Sequence, residues 1–212
     1  MCIADNIKQL KNKIPNTVTV VAVSKTKSVE DILQAYATGH YNFGENKVQE
    51  LVAKSEELPK DIKWHMIGHL QTNKVKYIAP FVSLIHGVDS LKLLKEINKR
   101  AAQNKRIIDC LLQVHIAEES TKFGFDVNGI AQVLKDIGQF KNINIKGLMG
   151  IATHTTDTAQ INKEFALIDT LYNKIKSIKI NTLSIGMSAD YKLAINNGST
   201  MVRIGSAIFS AR

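Results

Sequence analysis

The chain has 212 residues, of which 44% are hydrophobic and 22% charged, with a formal net charge of +9. That is enough apolar chain for one sizeable core, and residues 1–212 fit a single domain if the architecture is a barrel. Two cysteines exclude a disulfide framework, and no apolar run reaches the length of a membrane span.

The amino terminus, MCIADNIKQLKNK, mixes charged and apolar residues at helical spacing, unlike the continuous apolar core of a secretory signal. Cys110 lies inside the apolar run IIDCLLQVHI, where it reads as a small buried hydrophobe. A soluble protein of the reducing cytoplasm is expected. The positive charge is dispersed: 24 of the 28 basic residues are lysines, with no Arg-rich or aromatic-interleaved basic block. A solvated lysine surface explains this better than nucleic-acid binding. A monomer is expected, because no long apolar helix face stands out beyond the needs of the core.

Eight short apolar or β-branched runs follow in chain order: 18–24 (VTVVAVS), 41–44, 62–68, 82–88, 107–116, 143–152, 181–187 and 200–205. Amphipathic stretches separate them. In SVEDILQAYATG, Ser28 reads as an N-cap with Asp31 completing a capping-box-like pair and Gly39 as the stop. SADYKLAINNG repeats the design with Ser188 and Gly198. Strands alternating with helices imply a parallel sheet of the α/β class. A single (β/α)8 TIM barrel buries all of it most simply, with an open doubly wound sheet as the alternative.

In such a barrel the active site lies where strands end and helices begin. Lys25 follows the first strand at that end. By itself a strand-end lysine is more often a snorkelling surface group. A Schiff-base amine is the functional reading, with Val18 to Val23 as the apolar approach that frees the neutral nucleophile. The last two strand ends, SIGMSAD and RIGSAIF, place Gly186, Ser188, Gly205 and Ser206 at the loops that most often hold phosphate in barrels. Arg203 lies in the last strand and can reach the barrel centre. A buried arginine offers only donors, so it needs either a core carboxylate or an acceptor such as a pyridine nitrogen. An amine for an aldehyde, a cup for phosphate and a donor for a ring nitrogen fit pyridoxal phosphate.

The segments VAVSKTKSVEDI, FGENKVQE, WHMIGHLQTNK, IHGVDS, GLMGIAT and SIGMSADYKLAINNGSTMVRIGSAIF, in that order, resemble the YggS-like pyridoxal phosphate homeostasis proteins, also called PLPBP or proline-synthase co-transcribed homologues. The resemblance implies a barrel like the N-terminal domain of alanine racemase, with pyridoxal phosphate held as a Schiff base on Lys25. It further implies phosphate binding by Ser188, Gly205 and Ser206, Arg203 facing the ring nitrogen, and Asn46, His65 and Met187 near the cofactor.

Racemisation needs an acid/base group on each face of the substrate, and Lys25 serves only one. Alanine racemases supply the other as a tyrosine from a second domain. This chain ends at Arg212, seven residues beyond Gly205, so no such domain is expected. The expected function is a pyridoxal phosphate carrier in intracellular cofactor homeostasis, without a dedicated reaction, serving pyridoxal phosphate-dependent apo-enzymes. An amino-acid racemase, with weak activity of that type, and a Schiff-base aldolase are the enzymatic alternatives. His65 and His69 have H-x-x-x-H spacing but lack the helix and glutamate of the zinc motif, so no metal site is expected. Glu45 and Glu50 are expected on helix faces or loops as solvated positions or caps, without chemistry.

Overall fold

The computed structural model describes residues 2–119 and 123–209. All eight expected strands form: β1 (Thr19–Val23), β2 (Asn42–Glu45), β3 (Lys63–Met66), β4 (Leu84–Val88), β5 (Ile108–Gln113), β6 (Ile143–Met149), β7 (Thr182–Ser184) and β8 (Met201–Ile204). Each pairs in parallel with its neighbour, and β8 returns to β1, with Thr19 to Ala22 opposite Met201 to Ile204. That last pairing closes the barrel and removes the open-sheet alternative.

The helices are α1 (Ile3–Lys13), α2 (Val29–Tyr36), α3 (Val48–Glu57), α4 (Val75–Ile78), α5 (Leu91–Gln103), α6 (Val127–Asp136), α7 (Thr158–Ile175), α8 (Tyr191–Asn196) and α9 (Ser206–Phe209). None among the described residues is long and apolar enough to cross a membrane. Ser28 caps α2 as its sequence suggests, its Oγ accepting from the Asp31 N–H at 3.2 Å, and Gly39 takes the left-handed φ of +75° beyond the helix. The second expected cap is different. Asp190 occupies the N-cap position of α8, while the Met187–Tyr191 turn closes on itself through Tyr191 N–H to the Met187 carbonyl. Ser188 is therefore left to another partner.

Alternation along the strands sorts residues between two cores. Outward positions such as Ala22, Phe43, Trp64, Ile85, Leu112, Leu148, Leu183 and Val202 join the large cluster between barrel and helices. Inward positions Val21, Leu84, Leu111, Met149 and Met201, with Ile67 just past β3, form a smaller cluster inside the barrel. Both faces are buried, which is why the strands read as nearly continuous apolar runs.

Register shifts in the β4–β5 and β5–β6 ladders adjust this alternation. Cys110 faces Ile145 but Leu111 faces Gly147, so Lys146 bulges out of the β5–β6 ladder. Gly147 then presses against β7: a Cβ there would lie 1.6 Å from the Thr182 carbonyl oxygen. No rotamer relieves a clash between backbone and Cβ. Gly147→Ala is expected to lower stability by about 3 kcal/mol or more, the upper range of overpacking, read as a fall in the urea unfolding midpoint.

Candidate functional site

The mouth is built from residues that continue the inward register. Val21 and Val23 line the barrel, and Lys25 follows with the same parity, exposed at the turn between β1 and α2. The apolar strand therefore carries the chain to the mouth without enclosing the amine. The next residue, Thr26, holds a left-handed φ of +62°, uncommon for a β-branched side chain.

Beside Lys25 the ends of β7 and β8 are joined. The Gly205 N–H donates to Ser188 Oγ at 3.1 Å, and the Arg203 N–H donates to the Gly186 carbonyl at 3.0 Å. Gly186 adopts φ +94°, where a side chain would be strained and its Cβ would meet Ala194 at 2.5 Å. Ser206 is exposed at the start of α9, and Met187 is 40% exposed on the facing loop. The structure thus brings Ser188, Gly205, Ser206 and Met187 together, next to the strand that carries Lys25. Asn46 follows the end of β2, the strand paired with β1, and its carbonyl crowds Gly68. It borders a cavity of about 340 Å3 lined also by Ile67, His69, Gln113, Phe123 and Ile151.

Beneath this surface lies a polar chain that crosses the barrel interior. Arg203 is 4% exposed, and its guanidinium donates to the Ser184 carbonyl at 2.8 Å, to Ser184 Oγ at 2.7 Å and to the Gly150 carbonyl at 2.9 Å. All three acceptors are neutral. Burial lowers the arginine's pKa to about 10, which leaves it charged at neutral pH. Ser184 Oγ lies 3.1 Å from His86 Nδ1, His86 Nε2 lies 3.0 Å from His65 Nδ1, and His65 Nε2 lies 3.3 Å from Asn42 Oδ1.

Asn42 Oδ1 can only accept and a neutral imidazole carries a single N–H, so the direction of every bond in the chain follows from that end. Ser184 accepts from Arg203 and donates to His86; His86 donates to His65; His65 donates to Asn42. Both imidazoles must be neutral for this to hold. Burial, more than any neighbouring charge, pushes His65 down to about 3 and His86 well below its ordinary value. His65 thus lies one layer below the mouth and reaches it only through His86, Ser184 and Arg203.

The expectation of a solvated Glu45 is corrected here, while Glu50 lies on α3 and is partly exposed as expected. Glu45 is the last residue of β2, not a helix or loop residue, and it is fully buried on the outward face against α3. Its Oε1 accepts from Ser24 Oγ at 2.6 Å and from Lys54 Nζ at 2.8 Å. Glu50 accepts from the Thr26 N–H at 2.9 Å. Sequence reading missed Lys54, His86 and Ser184 as members of the site. A polar residue at inward parity inside an apolar strand, as in LIHGV and TLS, is the signal that marks the latter two.

The buried histidines give stability a definite pH dependence. In the unfolded chain each titrates near 6.5, whereas folded His65 stays neutral down to about 3. The unfolded state therefore binds more protons in that window, and stability falls as pH falls below about 6.5, by roughly 1.4 kcal/mol per pH unit for each such histidine. Urea unfolding at about pH 7 and about pH 5 is expected to show this slope, made shallower by about one proton in His65→Gln.

The whole-chain comparisons agree with the geometry. The family model for the alanine racemase N-terminal domain matches residues 2–212. The pyridoxal phosphate homeostasis protein of Helicobacter pylori strain 26695 is 41% identical over 197 residues, covering 91% of this chain and 87% of that protein. Its Escherichia coli K12 counterpart is 33% identical over 231 residues, covering 99% and 97%. PipY of Synechococcus elongatus PCC7942, solved with PLP bound, superposes with a TM-score of 0.90 at 34% identity, over 98% of this chain and 99% of PipY. Alanine racemase from E. faecalis shares the fold, with a TM-score of 0.78 at 15% identity over 99% of this chain and 58% of the racemase. The chain belongs to the pyridoxal phosphate homeostasis protein family, built on the alanine racemase N-terminal barrel.

Proposed function

We propose that this chain binds pyridoxal phosphate at the barrel mouth and acts in cofactor homeostasis, holding the cofactor reversibly and covalently on Lys25. The observation that carries the reading is the meeting of three chemistries in one part of the mouth. An exposed primary amine stands at the end of β1, two Gly–Ser loops lie at the ends of β7 and β8, and a buried guanidinium in β8 is hydrogen-bonded only to neutral oxygens. The residues fit the group, because a buried cation without a carboxylate hydrogen-bond partner favours an electron-rich acceptor above it.

When bound, pyridoxal phosphate supplies an aldehyde that condenses with a primary amine and releases water. Lys25 offers that amine, and its exposure leaves the link open to hydrolysis or exchange. Ser188, Gly205 and Ser206 hold the phosphate, with Met187 beside them. Arg203 would face the ring nitrogen, Asn46 would flank the cofactor from the end of β2 beside β1, and His65 would act through His86 and Ser184 by keeping Arg203 in place. Since the guanidinium remains charged at neutral pH, it repels a second positive charge and disfavours protonation of the ring nitrogen. An unprotonated ring is a weak electron sink, which supports a carrier without a dedicated reaction. We place the protein in the cytoplasm as a monomer, with pyridoxal phosphate-dependent apo-enzymes receiving the cofactor.

Titration of the purified chain with pyridoxal phosphate, followed by borohydride reduction and peptide mass mapping, tests the reading. The expected result is a visible absorption band and a phosphopyridoxyl mass on Lys25, both lost in Lys25→Ala. A colourless chain without a Lys25 adduct overturns it in favour of a barrel of the aldolase type.

A further inference from the structure

Lys25 is exposed, yet the backbone on either side of it is anchored. On one side Ser24 is fully buried: its carbonyl accepts from Lys54 Nζ at 2.8 Å, and its Oγ donates to Glu45 Oε1 at 2.6 Å. On the other, the Thr26 N–H donates to Glu50 Oε2 at 2.9 Å while Thr26 holds its left-handed φ. Lys54 joins the two anchors, 2.8 Å from Glu45 Oε1 and 3.6 Å from Glu50 Oε2. Lys54 itself is 9% exposed on α3, so its ammonium is committed to these oxygens and cannot serve as a second mobile amine.

We propose that Lys54, Glu45 and Glu50 are positioning residues for the Lys25 amine, a buried ion-pair clamp that presents the turn to the cofactor aldehyde. The inference rests on the reading of Lys25 as the attachment point. It follows from how a flexible amine is directed. A lysine side chain has four carbons between backbone and nitrogen, so the reach of Nζ depends on where its Cα and the two adjoining peptides are held. Here both adjoining peptides are fixed by charge-assisted hydrogen bonds, which are shorter and stronger than neutral ones. The left-handed Thr26 backbone is disfavoured by itself; the Lys27 N–H to Ser24 carbonyl bond closes the turn at 3.0 Å, and the Glu50 contact adds to it. Without the Glu50 contact the turn is held less tightly and the Lys25 amine is presented less precisely.

Two measurements on Glu50→Ala, Glu50→Gln and Lys54→Met test this. The first is amide hydrogen exchange of the peptide carrying Thr26, in the chain without cofactor. The second is the rate of the visible band and of the borohydride-trapped Lys25 adduct on adding pyridoxal phosphate. Glu50→Ala and Lys54→Met are expected to exchange the Thr26 amide faster and to form the adduct about tenfold more slowly. Glu50→Gln keeps an oxygen for the Thr26 N–H but loses the charge, and is expected to fall between Glu50→Ala and the unsubstituted chain in both.

Glu50 is partly solvent-exposed, so its alanine variant decides the matter even if Lys54→Met fails to fold. Faster exchange with an unchanged adduct rate overturns the proposal, as does unchanged exchange. An unsubstituted chain that forms no Lys25 adduct, while exchange still responds to Glu50→Ala, overturns the cofactor reading itself and with it the role given to the clamp.

Discussion

A guanidinium inside a barrel is the constraint around which this site is arranged. Taking Arg203 out of water is unfavourable unless each donor finds an acceptor, and its hydrogen-bond acceptors are the Ser184 carbonyl and hydroxyl and the Gly150 carbonyl. At the far end Asn42 Oδ1 can only accept, so each neutral imidazole carries its proton on the side away from Arg203 and Ser184 turns its own toward His86. The barrel centre is thus polar but neutral apart from one charge. A carboxylate in this layer would pair with that charge and cancel it, and the apolar inward residues around it, Val21, Leu111 and Met149, keep solvent from doing the same.

The rest of the mouth follows from strand parity. Val21 and Val23 share one register on β1, which Lys25 follows; Arg203 lies inward on β8, which Gly205 follows; and Ser184 lies inward at the end of β7, which Gly186 and Ser188 follow. Because β1 and β8 are hydrogen-bonded neighbours, with Ala22 opposite Ile204, closure of the barrel brings the first and last strands side by side at the mouth. The amine and the Gly–Ser loops are far apart in sequence and adjacent in space for that reason alone. A register slip of one residue in either strand would turn these groups toward the helices.

These considerations explain what could be read from the chain before its structure. The strands were legible because parallel strands buried on both faces leave continuous apolar runs, and Lys25, Ser188, Arg203 and Gly205 were legible because each interrupts or ends such a run. Glu45 and Lys54 were not. In sequence they look like ordinary charges of an amphipathic segment, and only the packing of α3 on the outer face of β2 buries them together. Ser188 misled in a smaller way: its position before an apolar helical stretch suggested a cap, but Asp190 takes that position and frees the hydroxyl to bridge to β8. His86 and Ser184 needed a register to be recognised, since a lone polar residue in a strand can face either way.

The combination of a rigid turn and an exposed amine bears on how such a site holds its ligand. A lysine enclosed by apolar walls would protect a covalent link from water and favour a permanent attachment. Here direction comes from the backbone, through Ser24 and Thr26, and the side chain itself is left in solvent. Under the proposed attachment at Lys25, positioning of this kind would speed the forward condensation without shielding its product, and the same geometry would permit the reverse step. Glu45 shows that the arrangement is maintained against an electrostatic preference, since burial raises its pKa while Lys54 and Ser24 hold it down. The buried pair is retained where a hydrocarbon pair of similar volume could fill the space, and an apolar pair could not anchor the peptides on both sides of Lys25.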